Sequence, residues 1–595
     1  MKTMPFFIVA SIIIASIFMP ENLKAMQDSV IVHVPKDTLA TNSPDSSSAD
    51  AVKVKTDTLA KARTKSWVIR GEVNISTGFY RMTGLDAPRG QMLPWGFTGK
   101  LTLASKSGWI IPVTGIYSSQ SNRFRQPYNQ VGASPVFKEK LILHAGYRNV
   151  YFSPLTLAGH TFLGGGAELQ QKKLRLGFVY GKFNRAIEYN LAQPDIIPYF
   201  KRTGFAARAG FGTKVSFLDL IVMKVADDVN SINTLPEEQA VSPAENLVIG
   251  LSSRVRIKKK FTFEMDGSTS VFTRDTRAEA ISDFVSIPYY DVIKKVVVPR
   301  ISTQLSTAFQ TAIGYRARHF SGRLQYKRIE PDFKTMGAYY FQNDIESYTA
   351  SPNLTLFKSK LKLNTSIGLQ HDNLLNQKKA QTNRLIGSAA LVYAPDENLS
   401  LDAFYSNYGI TQKAGYMPII DTLRISQNNR TLSANGIYMK MGETTVKTFT
   451  ATAIYQELQD LNSHTSAFNE NKNWNYSASY TYQDLVSDFD FSLNYSYTLT
   501  KAEDLNSLFH GPTLSLNKRT LKSKNMLLSA NAGYIFSEQN IYEFIEKGGV
   551  LNASASVSYT LFEHHNLSLN WSMIKSTGGQ AFSENRGTVA YQLTF

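Results

Sequence analysis

The chain has 595 residues, 64 Lys and Arg against 47 Asp and Glu, a net charge of +17 and a mean hydropathy of -0.21. This polarity excludes a bundle of transmembrane helices, and the absence of cysteine excludes disulfides, thiol catalysis and thiolate metal sites. Strand-forming aromatic residues are abundant, with 30 Tyr and 35 Phe. We therefore expect one large all-β domain.

The first 25 residues have the layout of a secretory signal peptide. Lys2 precedes an apolar run over residues 6–18, and Pro20 and a cleavage position after Ala25 follow it. The run is shorter than the roughly 20 residues that a membrane-spanning helix needs. We expect the mature protein to leave the cytoplasm.

Residues 26–65 are rich in Ser, Thr, Asp, Ala and Lys, and we expect them to form a disordered periplasmic arm. The sequence of residues 32–40 recurs in similar form at 52–60, which suggests a unit that adds to the sheet edge of a periplasmic protein partner. Linker drift without function is the alternative. Residues 28–32 also resemble the box with which energised importers contact their inner-membrane motor, but strand-like sequence begins near Trp67, which leaves no room for their plug domain.

Residues 66–595 alternate apolar and polar side chains with a period of two, as half-buried strands do. A clear example is the hairpin in which residues 474–482 and 489–499 each place aromatic or aliphatic side chains at every second position. Tight turns separate some strands and long polar loops separate others. The pattern predicts a transmembrane antiparallel β-barrel of about 24 strands with short periplasmic turns and long external loops.

The last strand ends on alternating apolar residues at Tyr591, Leu593 and Phe595. It resembles the terminal strand by which bacterial outer-membrane barrels are recognised, which implies the barrel-assembly machinery as a partner. The resemblance implies the outer membrane of a Gram-negative bacterium as the location. Because this strand should end in the periplasm, its direction assigns every tight turn to the periplasmic side.

Residues 119–160 do not fit the strand count. They contain a single strand-like segment, which makes the total number of strands odd, whereas alternating tight turns and long loops require an even number. Either one strand is missed or this region folds into the lumen. The neighbouring sequence, His-Ala-Gly-Tyr-Arg-Asn at 144–149 followed by the Gly-rich segment 152–166, resembles a family of largely uncharacterised Bacteroidota outer-membrane β-barrels. That resemblance implies an outer-membrane location and brings no catalytic residues.

Strand alternation also selects candidates for the lumen and its constriction. With Leu141, Leu143 and Tyr147 facing lipid, neighbouring charged and aromatic side chains face inward. The candidates are His144, Arg148, Phe152, His160, Glu168, Arg175 and Arg208. Such a row of charges would select charged or hydroxylated solutes. Alternatively, the charges pair with one another and fill the lumen.

Many basic residues lie in tight turns, where they would meet the headgroups of outer-membrane lipids. Nucleic-acid binding is not expected, because the aromatic residues alternate onto the lipid side. The nine scattered histidines give no catalytic or metal-binding spacing, so we expect no enzyme, no metal and no cofactor. The favoured function is a pore or channel for solutes, and the alternatives are a structural or secretion-associated barrel that docks partners and the energised importer.

Overall fold

A computed structural model describes residues 67–85, 89–119, 126–191, 196–233, 241–281, 295–339, 342–415, 424–521, 523–542, 544–578 and 581–595. The predicted signal peptide and periplasmic arm lie outside these residues.

The described chain is almost entirely β-structure. Its strands are β1 Trp67–Thr83, β2 Trp95–Ser105, β3 Trp109–Ser118, β4 Gln130–Ala133, β5 Val136–Phe137, β6 Leu141–Tyr151, β7 Ala158–Gln171, β8 Leu174–Asn184, β9 Arg202–Gly212, β10 Phe217–Asp227, β11 Glu245–Ile257, β12 Phe261–Thr273, β13 Thr303–Arg316, β14 Phe320–Ile329, β15 Ile345–Leu356, β16 Leu361–His371, β17 Ala380–Tyr393, β18 Leu399–Ala414, β19 Ser426–Met441, β20 Thr445–Asp460, β21 Asn471–Asp484, β22 Phe489–Ala502, β23 Leu505–Thr520, β24 Met526–Ile541, β25 Phe544–Leu561, β26 His565–Thr577 and β27 Phe582–Thr594.

Helical structure in the described residues is limited to single turns, the 3-10 turns Val229–Ser231 and Phe357–Ser359 and the α-helix Ser466–Asn469. Within these same ranges, no helix is long and apolar enough to cross a membrane.

The sheet closes on itself, because β1 pairs antiparallel with both β2 and β27. The terminal residue takes part in this seam: Phe595 and Gly71 exchange two backbone hydrogen bonds of 2.7 and 3.0 Å. The short strands β4 and β5 both pair with β3 and β6 and so share one position in the wall. The 27 strands therefore form a barrel of 26 positions, two more than the predicted count of about 24.

Alternation along each strand separates an apolar outer face from the interior. On β8, Leu174, Leu176 and Phe178 are exposed on the outside, whereas Arg175 and Val179 are buried on the inside. A period of two with apolar side chains outward is the pattern of a lipid-facing barrel wall. The predicted all-β transmembrane barrel is confirmed.

The two ends of the barrel differ in their connections. At the periplasmic end, where Phe595 lies, tight turns such as residues 258–260 and 562–564 join the strands. At the external end, residues 274–302 join β12 to β13, whereas only residues 503–504 join β22 to β23. The long external connections therefore belong mainly to the first two thirds of the wall.

Buried apolar side chains also concentrate on one side of the barrel. The largest cluster takes members from β6 to β12 and from three connections, and includes Phe162, Phe183, Ile221 and Met223. A smaller cluster joins Ala308 and Ile329 of the next strands. A packed core thus lies against the inner face of β6–β15, and it positions the site described next.

Candidate functional site

Residues 152–157, which join β6 to β7, lie against the inner face of the wall. Phe152, Leu155 and Leu157 are all buried. The Phe152 ring lies 4.8 Å from the Arg208 guanidinium carbon, a cation–π contact with an inward-facing side chain of β9. Burial of three large apolar side chains holds this segment inside the barrel.

A second segment, residues 333–339 of the β14–β15 connection, lies beside the first. Phe333 and Met336 are buried. The Ser270 hydroxyl donates to the Lys334 carbonyl at 2.7 Å, and the Met336 N–H donates to Asn246 Oδ1 at 3.0 Å. Side chains of β11 and β12 thus hold the backbone of this external connection within the lumen.

The two segments, which we call the inner segments, are bonded to each other. The Thr335 hydroxyl donates to the Thr156 carbonyl at 2.7 Å, and the Ala158 N–H donates to the Gly337 carbonyl at 2.9 Å. The buried ring of His160 stacks on Tyr339 with a centroid distance of 4.2 Å. The inner segments therefore form one structure that narrows the lumen from the β6–β15 side.

Four of the predicted site residues meet in a continuous ladder across β6–β10. Arg175 donates two hydrogen bonds, of 2.7 and 2.8 Å, to the fully buried Asp219 carboxylate. Arg208 donates to Glu168 at 2.8 Å, and His144 Nε2 lies 3.1 Å from the other Glu168 oxygen. Each charge in the ladder faces an opposite charge or a hydrogen-bonding partner.

The remaining candidates take other positions. Arg148 donates to the Thr114 hydroxyl of β3 at 3.2 Å, while Phe152 and His160 belong to the inner segments and their surroundings. The described geometry brings His144, Glu168, Arg175 and Arg208 together, and it places them in the wall, where they are half-buried or buried.

Sequence reasoning missed a second charged group, which is more exposed to the lumen. Glu264 accepts from Arg254 at 2.9 Å and from Arg323 at 2.5 Å, and both arginine side chains are more than two-fifths exposed. The signal was present in the alternation of β12, where Phe261 and Phe263 face outward and thereby turn Glu264 inward.

The opposite wall, formed by β20–β27, is lined largely by uncharged polar side chains. Cross-strand hydrogen bonds join Thr481 to Ser492 at 3.0 Å and Asn531 to Ser515 at 2.7 Å. Inward positions of this wall include Thr450, Thr452, Ser477, Ser479, Ser492, Asn494, Ser496, Thr513, Ser515, Ser529, Asn531, Ser554, Ser556, Ser568 and Asn570. We call this surface the hydroxyl wall.

Aromatic side chains border the hydroxyl wall on β18. Phe404 and Tyr408 face inward and are 40% and 39% exposed, and Tyr408 lies directly opposite Ile386 of β17. Their partners on β19 are Ser433 and Asn429. This part of the lumen therefore presents apolar faces next to hydrogen-bonding groups.

The residues predicted to form the insertion signal lie at the periplasmic end of the last strand. Leu593 pairs with Val73 of β1, Tyr591 pairs with Ile75, and Phe595 is exposed. The Tyr591 hydroxyl lies 2.5 Å from His565 Nδ1 on β26.

A closed antiparallel barrel with an apolar outer face, a polar interior and tight turns at one end defines a large transmembrane β-barrel of the bacterial outer membrane. No protein-family model matches the chain, and no curated protein sequence is significantly similar to it.

Several solved structures have a distant likeness to this chain. Acinetobacter baumannii OccAB2 is 11% identical over 60% of this chain and 92% of its own, with a TM-score of 0.28. Pseudomonas aeruginosa OccK8 (OprE) is 11% identical over 64% and 98%, with a TM-score of 0.29. The ferric-catecholate import receptor Fiu of E. coli K12 is 9% identical over 88% and 81%, with a TM-score of 0.34.

Proposed function

We propose that this barrel is an outer-membrane channel for small polar solutes, which pass along the hydroxyl wall and around the inner segments. The division of the interior carries the proposal: one side is packed with buried apolar side chains, and the other side is lined by Ser, Thr and Asn. Hydroxyl and amide side chains exchange hydrogen bonds with water and with hydroxylated solutes at little cost, which suits a conduction path.

The inner segments would set the size limit. Residues 152–157 and 333–339 project from the β6–β15 wall and are held by both apolar burial and hydrogen bonds. A loop fixed in this way narrows the lumen permanently, unlike a mobile loop that only fluctuates across it. Solutes would therefore be selected by width and by their contacts with the hydroxyl wall.

The solute class follows from the side chains that remain exposed. Arg254, Glu264 and Arg323 supply a mixed charge, and Phe404 and Tyr408 supply apolar surface beside Asn429. Solutes that combine hydroxyl groups with an apolar face, as sugars do, would match this lining better than simple ions. We propose hydroxylated solutes of low net charge as the cargo.

Conductance in planar bilayers tests the proposal. Replacing residues 153–156 and 333–339 with short Gly-Ser linkers should raise the single-channel conductance at least twofold, because the obstruction is removed. Shortening the connection 462–469, none of whose described side chains belongs to the apolar clusters, is the matched control and should leave conductance within about a fifth of its original value. A barrel that conducts no ions and admits no sugars before or after these changes would overturn the proposal.

A further inference from the structure

The outer surface of the wall carries an apolar groove across β16–β22. Its floor is built of small side chains that pair across neighbouring strands, so that Ala403, Ala434 and Ala453 form one row and Gly436, Ala451 and Ala478 form the next. Leu391 and Tyr393 border it on one side, and Tyr495 and Tyr497 on the other. The groove has a volume of about 1030 Å³.

The pairing of β19 with β20 determines which outward-facing residues lie between the groove floor and the periplasmic turn. Gly436 pairs with Ala451, Tyr438 pairs with Phe449, and Lys440 pairs with Lys447, all on the outward face and in that order towards the periplasmic turn. At about 3.3 Å per residue, the lysine pair lies roughly 13 Å below the floor. The order along the wall is therefore apolar floor, aromatic ring pair and cation pair.

Within the part of the chain that the structure describes, the lysine pair has no carboxylate as a counter-charge. Like charges directly opposite each other on adjacent strands repel. Among the described residues no carboxylate forms an ion pair with either ammonium group, including Glu443 in the turn that joins the two strands, and both lysines are exposed. Two cations lie side by side at the edge of an apolar surface. A ligand with one anionic group and an apolar remainder would complement both.

We propose that this groove and the Lys440–Lys447 pair bind one anionic phospholipid of the periplasmic leaflet. An acyl chain would occupy the alanine floor, the glycerol region would lie over Tyr438 and Phe449, and the phosphate would sit between the two ammonium groups. Small floor residues admit the chain, and the lysines attract the headgroup. The proposal is independent of conduction, since the groove faces the membrane and the proposed solute path lies inside the barrel.

Native mass spectrometry of the detergent-purified full-length protein tests the site. After delipidation, phosphatidylglycerol and phosphatidylethanolamine with identical acyl chains are added in turn. We expect one phosphatidylglycerol to be retained at least fivefold more tightly than phosphatidylethanolamine. The double variant Lys440→Gln and Lys447→Gln should bind both lipids equally, and Ala451→Leu should weaken both at least fivefold because leucine fills the floor.

Two matched variants control for general effects. Lys258→Gln with Lys259→Gln removes the same charge from the periplasmic turn between β11 and β12, and Ala555→Leu enlarges a membrane-facing alanine of β25 outside the groove. Both should retain the original preference. Persistence of the preference without Lys440 and Lys447, or its equal loss in the control variants, would overturn the proposal.

The folded state is checked independently by heat-modified mobility in gels. If Ala451→Leu prevents folding, Ala453→Val fills the same floor with a smaller change. Assembly of two protein copies through the groove, blocked by Ala451→Leu and indifferent to lipid, would also contradict the lipid site.

Discussion

The β6–β15 and β20–β27 parts of the wall have the same strand pattern and nearly opposite interiors. In β6–β15 the inner face is covered by buried apolar clusters, an ion-pair ladder and two chain segments that enter from the external end. In β20–β27 it carries Ser, Thr and Asn, and the external connection shrinks to residues 503–504 between β22 and β23. In β6–β15, two of the external connections, residues 152–157 and 333–339, cover part of the inner face.

The difference shows that the composition of the inner face can vary from one part of a barrel wall to another while the outer face stays the same. Lipid contact dictates the outer face of both parts in the same way, because apolar side chains are favoured there at every second position. The inner face is free of that demand. In one part this face carries a packed apolar core like that of a soluble protein, and in the other it carries mainly hydroxyl and amide groups.

The buried ion pair gives the largest test of this contrast. Asp219→Ala should destabilise the β6–β15 part by about 3–5 kcal/mol, because it leaves the Arg175 guanidinium buried without its partner. The urea midpoint of refolding, followed by gel mobility in lipid vesicles, measures the effect.

The comparison variant belongs to the other part. Glu538 of β24 pairs with Lys547 at 3.2 Å, and both side chains are largely exposed. Glu538→Ala should cost less than about 1 kcal/mol, since exposed pairs contribute little. If Asp219→Ala and Glu538→Ala lowered the free energy of unfolding equally, the buried ion pair would contribute no more to stability than the exposed one.

The packing of the inner segments is tested by Gly337→Val. A Cβ atom at this position would lie 2.5 Å from the Thr156 carbonyl oxygen and 2.7 Å from Met223 Sδ, so the second inner segment must move away. We expect a loss of about 1–3 kcal/mol and a higher conductance.

Gly387 of β17 provides the control, because a Cβ atom there has no neighbour within 4 Å. Gly387→Val should leave the conductance unchanged. An unaltered conductance in Gly337→Val would mean that the inner segments do not limit passage.

The exposed aromatic side chains of β18 test the other side of the lumen. Phe404→Ala and Tyr408→Ala should each weaken the block of ion current by short oligosaccharides by about 0.5–1.5 kcal/mol, because each removes an aromatic face from the path. Tyr405→Ala, which alters the lipid-facing side of the same strand, should not change the block. The titrated block of single-channel current distinguishes the three variants.

The smallest expected effect concerns an external connection of the packed part. Hydrogen bonds from the Arg277 guanidinium and backbone N–H lower the pKa of Asp275 from 3.8 to about 2, against an opposing effect of partial burial. Because the folded-state pKa is the lower one, the stabilisation is complete above about pH 4 and is lost as the pH falls towards 2. Solvent exposure limits it to less than about 1 kcal/mol.

Asp275→Asn should therefore remove a shallow slope in the urea midpoint between pH 4 and pH 2. The variant should be less stable at pH 7 by less than about 1 kcal/mol and equal in stability at pH 2, where the stabilisation is already lost. An identical slope in both proteins would assign the acid sensitivity to other carboxyl groups.

Much of the wall could be predicted from alternation alone. The hairpin of β21 and β22 pairs Tyr476 with Tyr497 as the pattern requires, and the first and last strands pair at the seam. The split strand β4–β5 escaped prediction, because four and two residues interrupted at Ser134 and Pro135 carry too short a pattern to recognise. Together, β4 and β5 provide the strand that was missing from the predicted strand count within residues 119–160.

The sequence did not predict which residues the site residues contact. Alternation assigns Glu168 and Arg208 to the interior, but nothing local connects Arg175 with Asp219, which is 44 positions further along the chain. The contact of Thr156 with Thr335 spans 179 positions and joins two connections that have no periodic pattern.

The sequence by itself determined a transmembrane barrel, its direction and its two faces, because the period of two is a local property that lipid contact enforces along every strand. Only the tertiary structure decided which half of the lumen is filled and which charges meet. Those outcomes depend on strand register and on the paths of the external connections, and each brings together residues that are distant in the chain.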